Sequence, residues 1–391
     1  MPNKKNNKTD PGIVAMPLIH PNAAGIDIGS TLHSVAVPEG RDNIRVKTFG
    51  TMTCDLQLIV DWLRYCKIDT VAMESTGIYW KSIFRVLVHN GFEVYLVNAK
   101  EVKNVSGKKT DESDALWIQK LHSCGLLKSS YLPSDEQDAL RTLVRYRKSL
   151  VEDGSRFVQR MQKSLEAMNI KVQTVVRDIT GATGRRIVES ILEGERNPEN
   201  FLVHVDKRIK ADSESILKSL EGNWREEQLF ILKDSFQFYE TYQERIAQCD
   251  TQIKRQLEAI EALQNEGVIE VKSKKRDPEW KTFKKKNKNY PDINIRTFLK
   301  RIHGVDVLEI YGLGHVSALE ILAETGSDLS KWETEKHFVS WLNLCPNNKI
   351  SGGKLISSQV MKKKPNPASM AFRNSANAVQ KGNHWLGDYF R

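Results

Sequence analysis

The sequence predicts an α/β domain at its N-terminal end, then long helices, then a mostly α-helical C-terminal domain. Short apolar segments alternate with helical segments from about residue 24 to residue 127. Two long stretches with helical periodicity follow, at about 134–169 and 224–263. The last part of the 391-residue chain, from about residue 298, is typical of short, compactly packed helices.

The first domain begins with three predicted strands, at 24–28, 33–37 and 44–49, of which the first two form a hairpin. Further along, helices are predicted over 55–67, over 78–90 and from about residue 110, with strands at 70–74 and 94–98 between them. Three strands followed by alternating helix and strand favour a mixed sheet.

The two long helical stretches carry apolar residues at helical spacing, and Ser134-x-x-Gln137 predicts a capping box at the start of the first one. Amphipathic helices of this length pair with each other or with a second subunit, as in a coiled coil. The predicted organisation is a flexible arm over 1–22, the α/β domain over 23–130, a helical coiled-coil region over 131–265, a basic insertion or linker over 266–297 and the C-terminal domain over 298–391.

The charge of the chain is concentrated. Lys and Arg number 59 against 49 Asp and Glu, and the stretch 272–301 alone holds twelve basic and three acidic residues. This block predicts a polyanionic partner, with Trp280, Phe283 and Tyr290 available to stack. A solvated linker is an equally open interpretation, and an anionic membrane surface is a further one.

Several classes of protein are excluded. With 40% hydrophobic and 28% charged residues the composition is that of a globular protein, and no apolar run approaches the ~18 residues that a bilayer span needs. No secretory signal is visible in the polar first residues. The five cysteines are an odd number without a CxxC pair, which argues against a disulfide framework or a structural zinc site and predicts a cytoplasmic protein.

Four carboxylates stand where catalytic acids are often found. Asp27 lies on the first strand between Gly25 and Gly29, which are expected to let phosphate or metal approach closely. Glu74 ends an apolar strand, where open α/β sheets bind ligands. Asp111 and Asp114 share one face at a helix start, although acids there also stabilise the helix dipole. Together the four could bind Mg²⁺ or Mn²⁺ for phosphodiester chemistry, with Lys108 and Lys109 holding phosphates.

The C-terminal domain offers a serine and a glycine pair. Ser351 precedes two glycines between Lys349 and Lys354, and neighbouring positive charge could activate its hydroxyl, although such a sequence is usually a plain turn. Gly312 and Gly314 could leave backbone amides free for a phosphate or could form an ordinary turn between helices.

Three motifs in order carry a specific resemblance: Gly25-x-Asp27-x-Gly29, Met73-Glu74-Ser75-Thr76-Gly77 and Lys109-Thr110-Asp111-x-x-Asp114-Ala115. They resemble the DEDD catalytic set of a RuvC-like nuclease domain of the RNase-H superfamily. In particular, they are similar to the DEDD transposases of the IS110 insertion-sequence family, including its IS1111 branch. The similarity extends almost throughout 72–147.

The resemblance implies a recombinase with a RuvC-like N-terminal domain and a serine transposase domain. Asp27, Glu74, Asp111 and Asp114 would bind Mg²⁺, and Ser351, rather than Ser340, Ser357 or Ser358, would become joined to DNA. It also implies donor and target DNA, a structured bridge RNA as guide, dimers or tetramers in which the serine domain of one subunit reaches the carboxylates of another, and a bacterial or archaeal nucleoid-associated location. The expected nucleic-acid contacts are Lys108, Lys109, Gly312, Gly314, Lys284, Lys285, Lys286, Lys349 and Lys354.

The sequence departs from the family in two places. The stretch 362–367 replaces a Lys-Gly-Asn-like segment, and the family's chains normally continue beyond the position of Arg391, so a terminal helix is expected to be missing. The segment 264–297 resembles an insertion relative to shorter members.

Other functions remain open at this stage. One is a Holliday-junction-resolvase-like nuclease that uses only metal, and another is a catalytically idle nucleic-acid binder. A third is an ATPase or sugar kinase of the actin-like fold, because 25–31 matches its phosphate-loop signature, although the second phosphate loop of that fold is not evident in the sequence.

Overall fold

The computed structural model describes residues 17–75, 77–97, 111–265, 288–360, 366–383 and 385–390, with the backbone alone at 111–113, 264, 265, 347, 360 and 390. The chain folds into two compact units, Met1–Leu132 and Pro133–Arg391.

The first unit is built on a five-stranded mixed sheet, as the sequence predicts. Its elements are β1 (Ala23–Ile28), β2 (Leu32–Ala36), β3 (Val46–Gly50), α1 (Thr53–Tyr65), β4 (Thr70–Glu74), α2 (Trp80–His89), β5 (Glu93–Val97) and α3 (Asp111–Ser123). The strand order is β3-β2-β1-β4-β5. The strands β1, β4 and β5 run parallel, whereas β2 is antiparallel to both β1 and β3.

The two faces of this sheet are covered by different helices. Ile26 and Met73 pair across β1 and β4, point to one face and pack with Ile59 of α1 and Ile83 of α2 in a single buried cluster. The opposite face carries small residues, and Ala72 packs there against Ile118 of α3. Strand alternation therefore separates an apolar face under α1 and α2 from a face that is closed by α3.

The second unit is mostly helical. Its elements are α4 (Asp135–Ala167), α5 (Val172–Val175), α6 (Ala182–Leu192), α7 (Ser213–Leu220), α8 (Glu226–Asn265), α9 (Ile295–His303), α10 (His315–Thr325), α11 (Glu335–Trp341), β6 (Pro346–Ser351), β7 (Lys354–Val360), α12 (Pro367–Gln380) and α13 (Trp385–Phe390), with 3₁₀ turns at Pro198–His204 and Val307–Glu309. One hydrogen bond of the predicted capping box is present, since the Ser134 side chain accepts from the Gln137 amide.

The long helices α4 and α8 pack against each other in antiparallel fashion. Leu140 near the start of α4 shares a core with Leu257 near the end of α8, whereas Leu165 shares another with Leu232. The short helices between them cover one end of the pair, and α9 and α10 pack against the other end. The two long helices thus hold both cores of the second unit together.

One buried ion pair ties α4 to α8. The side chains of Arg147 and Asp250 are 6% and 4% exposed, and Arg147 Nε lies 2.5 Å from Asp250 Oδ1. Arg147 also donates to the carbonyl of Asn289 at 3.0 Å, and Asp250 accepts from the amide of Asp292 at 3.1 Å. The ion pair therefore also holds the segment that contains Asn289 and Asp292 against the two long helices.

We expect Asp250→Ala to destabilise the second unit by about 3–5 kcal/mol, because it leaves a buried guanidinium without its counter-charge. Urea unfolding followed by circular dichroism measures this. Asp234→Ala, at an exposed position of the same helix, is the matched control and should change stability by less than about 0.5 kcal/mol. Equal unfolding midpoints for the two variants would contradict the role given to the pair.

The structure also bears on a membrane association. Among the residues that the structure describes, no helix is both long and apolar enough to cross a bilayer.

Candidate active site

The first two predicted acids lie side by side at the C-terminal ends of two neighbouring strands of the sheet. The parallel register pairs Gly25 with Ala72 and Ile26 with Met73, and the next step along both strands brings Asp27 beside Glu74. Adjacent strands are about 4.8 Å apart, so the two residues are close neighbours. Both are half-buried. The two motifs, 47 residues apart in sequence, thus meet at the C-terminal edge of β1 and β4.

Asp27 and Glu74 belong to the face that α3 covers. Alternation places Asp27 on the same face as Gly25, and a Cβ atom at Gly25 would come within 2.5 Å of the Ala115 carbonyl oxygen and 2.3 Å of the Gln119 nitrogen. The helix backbone therefore lies directly against β1 at this glycine. The flanking glycine was expected to admit phosphate or metal, but the structure shows that Gly25 admits a helix.

The direction of α3 brings its first turn towards the acids. Its C-terminal end lies at the start of β1, since Gln119 Nε2 donates to the Ala23 carbonyl at 3.3 Å and the Ser123 carbonyl accepts from the amide of Ile19 at 2.8 Å. Going back from Ala115 to Asp111 covers about 6 Å. Going forward from Gly25 to Asp27 covers about 7 Å.

The backbone therefore places the start of α3, with Asp111 and Asp114, over the edge that holds Asp27 and Glu74. Asp114 is half-buried, and the side chain of Asp111 is outside the described residues. Gly29 has a separate local role, since its amide donates to the Leu32 carbonyl at 2.9 Å in the β1–β2 turn and a Cβ there would meet that oxygen at 2.6 Å.

The far end of α3 is anchored by a buried histidine. His122 is fully buried, its Nε2 lies 2.9 Å from Thr70 Oγ1, and its ring stacks on that of His20 with centroids 5.0 Å apart. Burial, with a smaller contribution from His20, lowers the pKa of His122 to about 4. The ring is neutral at pH 7, so this end of the helix packs without an unbalanced charge.

The donor set suits a hard divalent cation, because it consists of carboxylates at the edge of an otherwise apolar sheet. Within the side chains that the structure describes, no group of three or more His, Cys, Asp or Glu residues is arranged to hold a metal ion. Asp27, Glu74 and Asp114 are therefore not a complete site by themselves in this conformation. Lys108 and Lys109, expected to hold phosphates, lie outside the described residues.

Ser351 ends the first strand of a two-stranded ribbon that was not predicted. It pairs with Lys354 across a two-residue loop in which Gly352 and Gly353 have φ of 55° and 77°. These left-handed values match a type I′ hairpin turn and explain the two glycines. Ser351 is exposed. The expected turn is present, but it connects strands within a mostly helical domain.

The ribbon has two chemically different faces. The register pairs Ser351 with Lys354 on one face and Ile350 with Leu355 on the other. The register shifts at Lys349–Ile350 in a bulge, a device that re-aims side chains. Ser351 therefore projects from the tip of the ribbon on the same face as the Lys354 ammonium group.

The other predicted nucleic-acid contacts divide into two groups. Lys284, Lys285 and Lys286 lie outside the described residues. Gly312 is accounted for by packing, since its φ is 80° and a Cβ there would lie 2.4 Å from both the Ser375 carbonyl oxygen and Val379 Cγ2 of α12. Gly314 precedes α10 in open space.

A second cationic stretch escaped the sequence reasoning. Between residues 336 and 387 the chain has eight Lys and Arg residues and no Asp or Glu. The chain outside 272–301 is close to neutral only as a sum, because the cationic stretch 336–387 is balanced by a net acidic charge on all the other residues. Counting acid-free windows, rather than net charge, would have found the stretch that surrounds Ser351.

Comparison with known families covers both units. Residues 24–170 match the family model DEDD_Tnp_IS110, described as a transposase. Residues 306–391 match a second model, described as Transposase IS116/IS110/IS902 family. A search of curated proteins gives no match to the chain. The first matched region contains all four acids and the second contains Ser351.

Proposed function

Because this chain belongs to the IS110 family of transposases, and is thus a DNA transposase, we propose that it cuts and rejoins DNA with the four carboxylates of its first unit and with Ser351 of its second. The observation that carries the proposal is the placement of Asp27 beside Glu74, under the helix end that holds Asp111 and Asp114. It supports a RuvC-like site of the DEDD type.

Asp27, Glu74, Asp111 and Asp114 are the residues that would hold Mg²⁺ or Mn²⁺. Bound there, divalent ions would stabilise the charge that develops on the attacking and leaving oxygens of a phosphodiester. The protein fold would hold these carboxylates in fixed positions. Asp27 and Glu74 stand on neighbouring paired strands, and α3 is fixed against the sheet by the close approach at Gly25.

Ser351 is proposed to be the nucleophile. Its Oγ would form a bond to phosphorus and lose its proton, while the bond from phosphorus to one sugar oxygen breaks. That oxygen would take up a proton and leave as a free hydroxyl, so one phosphoester replaces another. Because the phosphoester is exchanged and not hydrolysed, the strand can be rejoined without another energy source. Lys354, on the same ribbon face, and Lys349, two residues before the serine, would attract the phosphate and favour ionisation of the hydroxyl. The serine's exposure leaves it open to a large substrate.

The remaining expectations are part of the same proposal. A structured guide RNA would bind the cationic 266–297 insertion, including Lys284, Lys285 and Lys286, and sequencing of co-purifying RNA tests this. The proposed domains are those predicted from the sequence, with the antiparallel α4–α8 pair as the coiled-coil region. The protein would assemble as dimers or tetramers. It would be located in the cytoplasm, in association with the nucleoid.

The proposal is tested by removing the metal. Chelation with EDTA is expected to stop strand cleavage by the purified protein with its RNA, whereas DNA binding in a gel-shift assay persists. Added Mg²⁺ or Mn²⁺ should restore cleavage, because carboxylate oxygens suit both ions.

Two controls make the result specific. Zn²⁺ chelation alone, with Mg²⁺ kept in excess, should leave cleavage unchanged. Cleavage that continues after full chelation would contradict the role of the carboxylates. ATP-dependent activity would revive the actin-like ATPase, an interpretation that the transposase family disfavours.

A further inference from the structure

Four aromatic rings lie close together in the C-terminal part of the second unit. Trp332 lies before α11, Phe338 and Trp341 lie on it, and Phe372 belongs to α12. The ring centroids of Trp332 are 4.9 Å from those of both Phe338 and Trp341, and Phe338 stands edge-on to Phe372 at 6.0 Å. The rings therefore form one continuous group.

This aromatic cluster is not a buried core. Each of its four side chains is only half-buried, and α11 buries none of its residues. Large aromatic rings normally contribute their apolar area to a core, and an exposed apolar patch marks an interaction surface.

The charge around the aromatic cluster indicates the partner. Phe338, Trp341 and Phe372 lie within the acid-free stretch 336–387, and exposed Lys336 and Arg373 stand next to them in sequence. Trp332 lies just outside this stretch, next to exposed Glu333 and Glu335. Aromatic rings interleaved with cations are typical of surfaces that bind single-stranded nucleic acid by stacking and phosphate contact.

We propose that the aromatic cluster stacks on unpaired bases of single-stranded DNA beside the bond that Ser351 attacks. The inference rests on the proposed role of Ser351, since β6 leads from the region of the cluster to that residue. From Pro346 to Ser351 the strand covers about 17 Å. A single strand that contacts Ser351 can span this distance with a few nucleotides and so reach the aromatic cluster.

The test is fluorescence anisotropy with a labelled twelve-nucleotide thymidine strand, using the full chain. Trp341→Leu is expected to weaken binding by about 10-fold, because one stacking platform is lost. Trp341→Phe keeps a ring and should bind nearly as the wild type does. Tyr65→Leu, at an exposed aromatic of α1 in the first unit, should leave the affinity unchanged.

Further arms separate the possible failures. A 12-base-pair duplex should bind Trp341→Leu and wild type equally, and a uridine 12-mer should show a comparable loss, because stacking on a ring tolerates any base. Unchanged affinity of Trp341→Leu for the thymidine strand would overturn the proposal. So would an equal loss on duplex, which indicates a purely structural role, or a loss confined to RNA.

The proposed function can fail separately. If Ser351→Ala remains active in recombination, the serine assignment is wrong, whereas the Trp341→Leu loss on single strands still supports a stacking surface. If Ser351→Ala is inactive but Trp341→Leu binds normally, only the stacking surface is wrong.

Discussion

Ser351→Ala is expected to abolish recombination, with a loss of about 10³-fold or more, because a methyl group cannot form the bond to phosphorus. The residue is exposed at the tip of the β6–β7 ribbon, and its side chain is outside the hydrophobic cores of the unit. The fold should therefore tolerate the change. Excision of the element from a plasmid, followed by amplification of the new junction, measures the loss.

A direct readout is the covalent protein–DNA species on a denaturing gel. Wild type should form it and Ser351→Ala should not, although both bind DNA in gel shift. Ser358→Ala is the matched control, because that serine lies exposed on the partner strand β7. If Ser351→Ala forms the adduct, another residue is the nucleophile. If it cleaves DNA without forming one, the metal-only nuclease becomes the better description.

The sheet and the long helices could be predicted because their patterns are local. Strand alternation in 23–36 and the helical period in 135–167 depend on nearest neighbours along the chain, and the observed elements lie close to the predicted ones. The adjacency of Asp27 and Glu74 also follows from sequence, since both stand at the C-terminal ends of strands that prove to be parallel neighbours.

The roles of the glycines could not be predicted in this way. Gly25 and Gly29 flank an acid, which suggested ligand approach, but each is required by a contact with residues elsewhere in the fold or in the turn. The contact between Gly25 and Ala115 joins positions 90 residues apart. Such long-range packing leaves no periodic signal in one sequence.

The ribbon that carries Ser351 was missed for a different reason. Its strands mix Asn, Lys, Ser and Gln with few apolar residues, so their alternation is weak, and only the Gly-Gly pair signals a turn. The aromatic cluster is equally hidden, because its rings come from two helices and a loop. Function-bearing surfaces of this kind depend on tertiary assembly more than on local propensity.

Asp27→Asn is expected to lower strand cleavage by at least about 100-fold, the scale found when one electrostatic stabiliser of a transition state is removed. The amide has nearly the same shape as the carboxylate, so the β1–β4 pairing should persist. Glu74→Gln should have a similar effect, because the parallel register makes the two acids neighbours. Their double variant should lose little more than either single one, since residues that act as a unit are strongly non-additive.

A matched control and a second readout separate chemistry from folding. Asp69→Asn changes an exposed acid directly before β4, at the opposite edge of the sheet, and should leave cleavage unchanged. Isothermal titration calorimetry should show weaker Mn²⁺ binding by Asp27→Asn than by Asp69→Asn. Wild-type cleavage by Asp27→Asn would remove the proposed site. Lost cleavage with undiminished Mn²⁺ binding would instead show that the metal is held elsewhere. A carboxylate that binds the ion cannot lose its charge without lowering the affinity for that ion.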